Sequence, residues 1–159
     1  MKGLKLAGIL ATGALLAACS AQQLGSQAQS STDVWQAPAQ VTVAAVAAKL
    51  DSYLWLNSMP SVGDSANKGL LASVKLVSTN GQALPSDIEV TQVLLVTDKA
   101  QWQNEKLLPM TTMDNGFEVM LRDGPSWMPG EAVDIAMTFI YQGQRYTVTQ
   151  RQVKIDQVF

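Results

Sequence analysis

The stretch that decides the fold runs from residue 133 to residue 155 and reads VDIAMTFIYQGQRYTVTQRQVKI. Apolar residues recur at every second position of its first part, which predicts a strand with one face on a core. They are Val133, Ile135, Met137, Phe139 and Tyr141. Gln142-Gly143 supplies a two-residue turn, so the chain is expected to return as the second strand of a hairpin.

In the returning strand, the alternation of apolar residues switches from one parity to the other, which we call a change of phase. Tyr146 and Val148 are spaced for the core face, whereas Val153 and Ile155 fall on the opposite parity. Because a shift of one residue moves a strand's side chains to the other face, both pairs can reach the core only if the strand is irregular between them. We therefore predict a bulge or bend over residues 150–152.

Further runs have the pattern of strands. Residues 70–76 alternate and end at an Asn80-Gly81 turn, residues 117–121 alternate after another turn, and residues 53–56 have strand propensity. Residues 88–97 are apolar on both faces, which is typical of a strand in the middle of a sheet that is packed on both sides, or of a strand near a partner. The pattern favours an all-β fold, an antiparallel immunoglobulin-like β-sandwich of about seven strands, with a small barrel as the alternative.

One segment ahead of these strands predicts a helix. Over residues 41–50 the apolar residues Val43, Val46, Ala47 and Leu50 recur at helical spacing, and alanine predominates. We therefore expect a short N-terminal helix before the first strand.

The first 18 residues have the three parts of a secretory signal, namely two early lysines, an apolar run and small residues before a cleavage point. The apolar run is too short to span a bilayer, which takes about 20 residues. It ends in Leu16-Ala17-Ala18-Cys19, which resembles the lipobox of bacterial lipoproteins. The resemblance implies that residues 1–18 are removed as a signal peptide and that Cys19 receives acyl chains.

The same resemblance implies a location. Ser20 follows the cysteine, and in lipoproteins of two-membrane bacteria Ser is typical of export to the outer membrane, whereas Asp resembles a retention signal. We therefore expect a protein anchored in the outer membrane and facing the periplasm; in a single-membrane host the same anchor implies the cell surface. Two or three acyl chains hold a protein stably, at about 0.8 kcal/mol per buried methylene.

Residues 19–40 are rich in Ser, Gln, Ala and Gly, a composition that predicts a flexible tether behind the acylated cysteine. Twenty such residues have a root-mean-square span of roughly 25 Å and an extended limit of roughly 70 Å. Trp35, the one large aromatic residue there, is expected to dock on the domain edge, with a partner contact as the alternative. Residues 41–159 fit one domain.

Composition removes several function classes. The chain has 11 basic and 13 acidic residues, two of the basic ones in the signal segment, so the remainder carries about −4 and nucleic acid is not an expected partner. It has no histidine, and its one cysteine is Cys19. Disulfides, histidine-dependent triads and His/Cys zinc sites are therefore excluded. We expect neither an enzyme nor a cofactor.

Two loop features are candidate sites. Trp127 and Met128 precede a Pro-Gly turn, and a Trp on an ordered loop often contacts a partner, the alternative being that it plugs the end of the sandwich. Met110 and Met113 form a Met-x-x-Met pair, and thioethers favour Cu(I), the alternative being core packing. Envelope copper carriers resemble this chain in fold class and methionine content, but they also use histidine.

The sequence thus predicts a non-enzymatic, lipid-anchored periplasmic protein that presents a face or loops to an envelope, secretion or surface-assembly partner. The membrane is the second expected partner, through the acyl chains on Cys19. A small-ligand or Cu(I)-binding module using the Met-rich loops is the alternative, and a cell-wall hydrolase has the least support.

Overall fold

The computed structural model describes residues 34–58, 69–104 and 108–159. Over these residues the protein is all-β, as the sequence predicts, with nine strands instead of about seven. They are β1 (Gln40–Val43), β2 (Val46–Asn57), β3 (Leu71–Ser78), β4 (Glu89–Val96), β5 (Gln101–Asn104), β6 (Met110–Met113), β7 (Gly116–Leu121), β8 (Ala132–Tyr141) and β9 (Gln144–Val158). The strands that sequence reasoning missed, β1, β5 and β6, have four residues each, which is too few for alternation to be recognised.

The strands form one sheet in the order β5-β4-β8-β9-β2-β3-β7-β6, and β1 also pairs with β2. Neighbours are antiparallel except β2 and β9, which run parallel from Leu54↔Ile155 onward. The first part of β9 pairs with β8 and its last four residues pair with β2. We call β1, β2, β3, β6 and β7 half A, and β4, β5 and β8 half B; β9 joins the halves.

The sheet curls about β9, so the inner faces of the two halves enclose one core. Leu54 of half A and Ile135 and Phe139 of half B belong to the same fully buried cluster. Away from β9, the two halves also approach each other: the ring of Trp102 in β5 lies against Gly124, just after β7. A Cβ atom at Gly124 would come within 2.6 Å of this ring. The fold is a half-barrel with a sandwich-like core, intermediate between the predicted sandwich and its barrel alternative.

The predicted closing hairpin is confirmed. β8 and β9 pair from Tyr141↔Gln144 next to the turn, and the rings of Phe139 and Tyr146 stack across the strands at 5.3 Å. The pairing shifts between Val133 and Ile135, so that two residues of β9, 151 and 152, lie opposite the single residue Asp134. Gln152 has a φ of 58°. This is the bulge that the change of phase predicts, and it brings Val153 back toward the core.

The prediction of a helix over residues 41–50 is wrong. These residues form the β1–β2 hairpin, in which Val43 pairs with Val46 around Ala44 and Ala45, both at positive φ (49° and 65°). Two central residues at positive φ make the kind of turn that matches the twist of a hairpin. Helix propensity is a weak prior, and the pairing of β2 with β1 and β3 outweighs it here.

Residues 34–39, which we call the strap, lie against the outer face of half B. Val34 is only 5 % exposed because it packs on Leu94 of β4 and Ala136 of β8. Leu94 is thus covered by the strap while its neighbours Val93 and Leu95 point into the core. Residues 88–97 are therefore covered on both sides at Leu94, whereas on the same outer face Glu89 is exposed and Thr91 is half-buried.

The strap is also hydrogen-bonded to β9. The amide of Thr149 donates to the carbonyl of Pro38 at 3.0 Å, and its hydroxyl donates to the carbonyl of Ala37 at 3.0 Å. Residues 34–40 of the predicted tether therefore belong to the folded unit, because the strap buries apolar surface that the tether composition did not reveal.

The signal peptide, Cys19 and residues 20–33 lie outside the described residues. Within the described ranges, no helix has the length and apolar character needed to cross a membrane.

Candidate functional site

A groove of about 700 Å³ opens at one end of half B, where β4 ends and β8 begins. Its lining comes from three separate parts of the chain: Val96–Lys99 at the end of β4, Met128–Ala132 before and at the start of β8, and Asp134 with Gln152 at the bulge. The volume lies in the range of small-molecule and side-chain pockets, about 300–1,000 Å³. This groove is the candidate functional site.

The wall at the end of β4 is fixed by Thr97, which is 7 % exposed. Its backbone amide donates to the carbonyl of Ala100 at 2.8 Å, and its hydroxyl oxygen accepts from the amides of Lys99 (3.2 Å) and Ala100 (3.0 Å). A side chain that satisfies successive amides in this way holds a tight turn. The exposed residues Asp98 and Lys99 therefore lie in a turn whose backbone is held by hydrogen bonds to Thr97.

The opposite wall is tied to β9. The amide of Gly130, at a φ of 81°, donates to the carbonyl of Ile155 at 2.7 Å, and the amide of Ile155 donates to the carbonyl of Glu131 at 3.1 Å. The Glu131 carboxylate in turn accepts from the amide of Met128 at 3.2 Å. These bonds hold the loop in place, while the Met128 side chain remains 70 % exposed at the groove.

The two loop residues predicted to contact a partner are placed differently. Met128 lines the groove. Trp127 is partly buried and packs against the core, which is the alternative that sequence reasoning left open for it. Large aromatic side chains gain more from burial than from exposure, so Trp127 anchors the loop and Met128 is the residue that the loop presents.

A cluster of three side chains, which we call the clasp, joins the groove to the strap. Asp134 lines the groove and accepts from the guanidinium of Arg151 at 2.8 Å. Arg151 also donates to the carbonyl of Trp35 at 2.6 Å and lies over the Trp35 ring, 4.7 Å from its centroid. The other Asp134 oxygen accepts from the backbone amide of Gln152 at 2.9 Å. The β9 bulge thus places Arg151 between the groove and the strap.

The pKa of the Asp134 carboxyl lies below its ordinary value of 3.8. Partial burial by itself would raise this pKa, but the hydrogen bond from the Gln152 amide and the ion pair with Arg151 together outweigh burial. Asp134 is therefore ionised throughout the neutral range, and the clasp is charged on both sides.

The candidate copper ligands are not brought together. Met110 and Met113 lie in β6, not in a loop, and pair with Val119 and Gly116 of β7. Because side chains three residues apart leave opposite faces of a strand, Met110 packs against the core while Met113 points the other way. Neither residue lines the groove. Among the described residues, no group of three His, Cys, Asp or Glu side chains is placed to hold a metal ion.

Sequence reasoning also missed an aromatic pair on the outer face of half A. The rings of Tyr53 and Trp55 stack at 5.3 Å, and the Tyr53 hydroxyl donates to Asp156 at 3.0 Å. This hydrogen bond, with smaller contributions from desolvation and from the Asp156 charge, raises the pKa of Tyr53. Neither ring lines the groove, and we take the groove as the better site.

Arg151 and the Thr97 turn did not stand out in the sequence. The predicted bulge at residues 150–152 was the one available signal, because bulges are common next to functional sites. The groove offers carboxylates, one ammonium group and an exposed thioether, which suit non-covalent recognition. The chain matches none of the protein families, curated proteins or solved structures with which it was compared.

Proposed function

We propose that the protein is a lipid-anchored envelope protein that carries out no catalysis and presents its groove to a protein partner. Cys19 bears the acyl chains, and the folded domain faces the periplasm from the outer membrane. The single observation that carries the binding role is the groove itself. Two hydrogen-bonded walls border an open groove of about 700 Å³, and the exposed Met128 side chain lines it. Flexible thioethers are suited to adaptable contacts.

The anchor is tested separately from the groove. Wild-type protein expressed in a two-membrane bacterium should incorporate radiolabelled palmitate and fractionate with the outer membrane. Cys19→Ala should abolish the label, and Ser20→Asp should move the labelled protein to the inner membrane. A wild-type chain that takes up no palmitate would overturn the proposed anchor, whatever the groove binds.

Binding at the groove is tested by in-cell photo-crosslinking with the full-length chain. A photoreactive residue replaces Met128, and the matched control replaces Gln144, which is exposed at the other end of the β8–β9 hairpin. The two ends of β8 are about 30 Å apart at 3.4 Å per residue. A defined adduct with one envelope protein from position 128 and not from position 144 supports the proposal. Equal labelling from both positions, or none from position 128, refutes it.

A small-ligand module is the second candidate, and the volume of the groove is the observation that favours it. Its Cu(I) form has no such support, since Met110 and Met113 leave opposite faces of β6. Titration of the purified protein with Cu(I) should therefore show no stoichiometric site. A one-to-one site lost in a Met110→Leu, Met113→Leu double variant would reverse this conclusion.

A further inference from the structure

The tether enters the folded domain beside the groove. Val34, the first described residue, packs on Leu94 and Ala136, and Val96 packs against that same cluster. Val96 also lines the groove. Asp134 is shared in the same way, because it lines the groove and holds Arg151 against the strap. The groove and the point where the tether enters are thus neighbours on one side of half B.

The length of the chain before the strap sets how far the groove can stand from the membrane. Fourteen residues, 20–33, separate Cys19 from Val34. That segment spans at most about 50 Å when fully extended and about 20 Å as a root-mean-square distance for a flexible chain. If Cys19 is acylated, the groove is held close to the membrane surface, whereas the outer face of half A lies on the other side of the sheet.

We propose that the groove takes a membrane-proximal segment of an integral protein in the same membrane. This inference rests on the proposed function and adds the class of partner. Among the charged residues of the lining, Asp134 is already paired with Arg151, which leaves the carboxylates of Asp98 and Glu131 beside the ammonium group of Lys99. A fitting segment carries a basic side chain toward these carboxylates and an apolar side chain against Met128.

The shared membrane supplies part of the affinity. Anchoring two proteins to one surface raises their effective concentration about each other, and a short tether raises it further. The clasp contributes to this effective concentration because it holds Trp35 against Arg151 of β9. The tether therefore joins the domain next to the groove. If the strap were released, its six residues would add about 20 Å to the extended tether.

The test repeats the crosslink from position 128 in three chains. One is the full lipoprotein. The second has residues 1–19 replaced by a cleavable secretory signal, so that the domain is soluble in the periplasm. The third has 20 Gly/Ser residues inserted between Ser30 and Ser31, which should lower the adduct about threefold to fourfold if effective concentration falls as the −3/2 power of length.

We expect the adduct yield of the soluble form to be at least tenfold lower than that of the full lipoprotein. The captured protein should resist extraction at alkaline pH, as an integral protein does. An adduct of equal yield from the soluble form would overturn the shared-membrane inference and leave groove binding intact. Absence of any adduct from the full lipoprotein would overturn both. In the full lipoprotein, Arg151→Ala should also lower the yield because it frees the strap, whereas Lys49→Ala, which removes an exposed cation from β2 in half A, should leave the yield unchanged.

Discussion

The clasp gives a prediction whose size follows from its geometry. Arg151→Ala removes an ion pair to Asp134, a hydrogen bond to the Trp35 carbonyl and a cation–π contact with the Trp35 ring. Because the Arg151 side chain is 46 % exposed, we assign about 0.5 kcal/mol to the ion pair, about 1 kcal/mol to the hydrogen bond and about 0.5 kcal/mol to the cation–π contact. The strap should therefore open about thirtyfold more often, since 1.36 kcal/mol is a factor of ten.

The assay is amide hydrogen exchange followed by NMR. The amide of Thr149 reports on the strap because it donates to the carbonyl of Pro38, and its exchange should rise about thirtyfold in Arg151→Ala. Amides of the β2–β3 pair should keep their protection, as should all amides in the control Lys154→Ala. Arg151→Lys should recover only part of the effect, since an ammonium group cannot make the forked contact of a guanidinium. Unchanged exchange at Thr149, or an equal rise throughout the sheet, would refute the reasoning.

Three further predictions concern the core, the close approach of β7 to β3, and pH. Met137→Ala should lower the free energy of unfolding by about 3 kcal/mol, because Met137 is only 1 % exposed. Met128→Ala should change it by less than about 0.5 kcal/mol, because Met128 is 70 % exposed. Equal losses for the two variants in a denaturant titration would contradict this. Gly116→Ala should cost about 3 kcal/mol or more, because a Cβ there overlaps the backbone carbonyl of Leu76, and an unaltered melting temperature would disprove it. The pKa of Asp134 is lower in the folded protein than its ordinary value of 3.8. The stability that its ionised carboxylate adds should therefore be complete above pH 3.8 and should be lost as pH falls through the pKa of the folded state. An NMR titration of the Asp134 carboxyl carbon with a midpoint above 3.8 would be the contrary result.

The parts of the fold that sequence reasoning predicted are those with a local signal. The β8–β9 hairpin follows from alternation and a two-residue turn, and the bulge follows from the change of phase between Val148 and Val153. The prediction of a helix over residues 41–50 failed because local propensity favours a helix only weakly, while the pairing of β2 with β1 and with β3 decides the outcome. The short strand β6 was missed because four residues are too few to show alternation, and the placement of Met110 and Met113 was missed with it.

By itself the sequence determined the all-β class, the closing hairpin with its bulge and the exclusion of disulfide and histidine chemistry, because each depends on composition or on neighbours a few residues apart. The lipobox at Cys19 remains a prediction of the sequence. Only the tertiary structure decided the groove and the clasp, since their parts are distant in the chain: Trp35 and Arg151 are 116 residues apart. No local pattern encodes such a contact, which forms only when the curled sheet brings the strap and the bulge together.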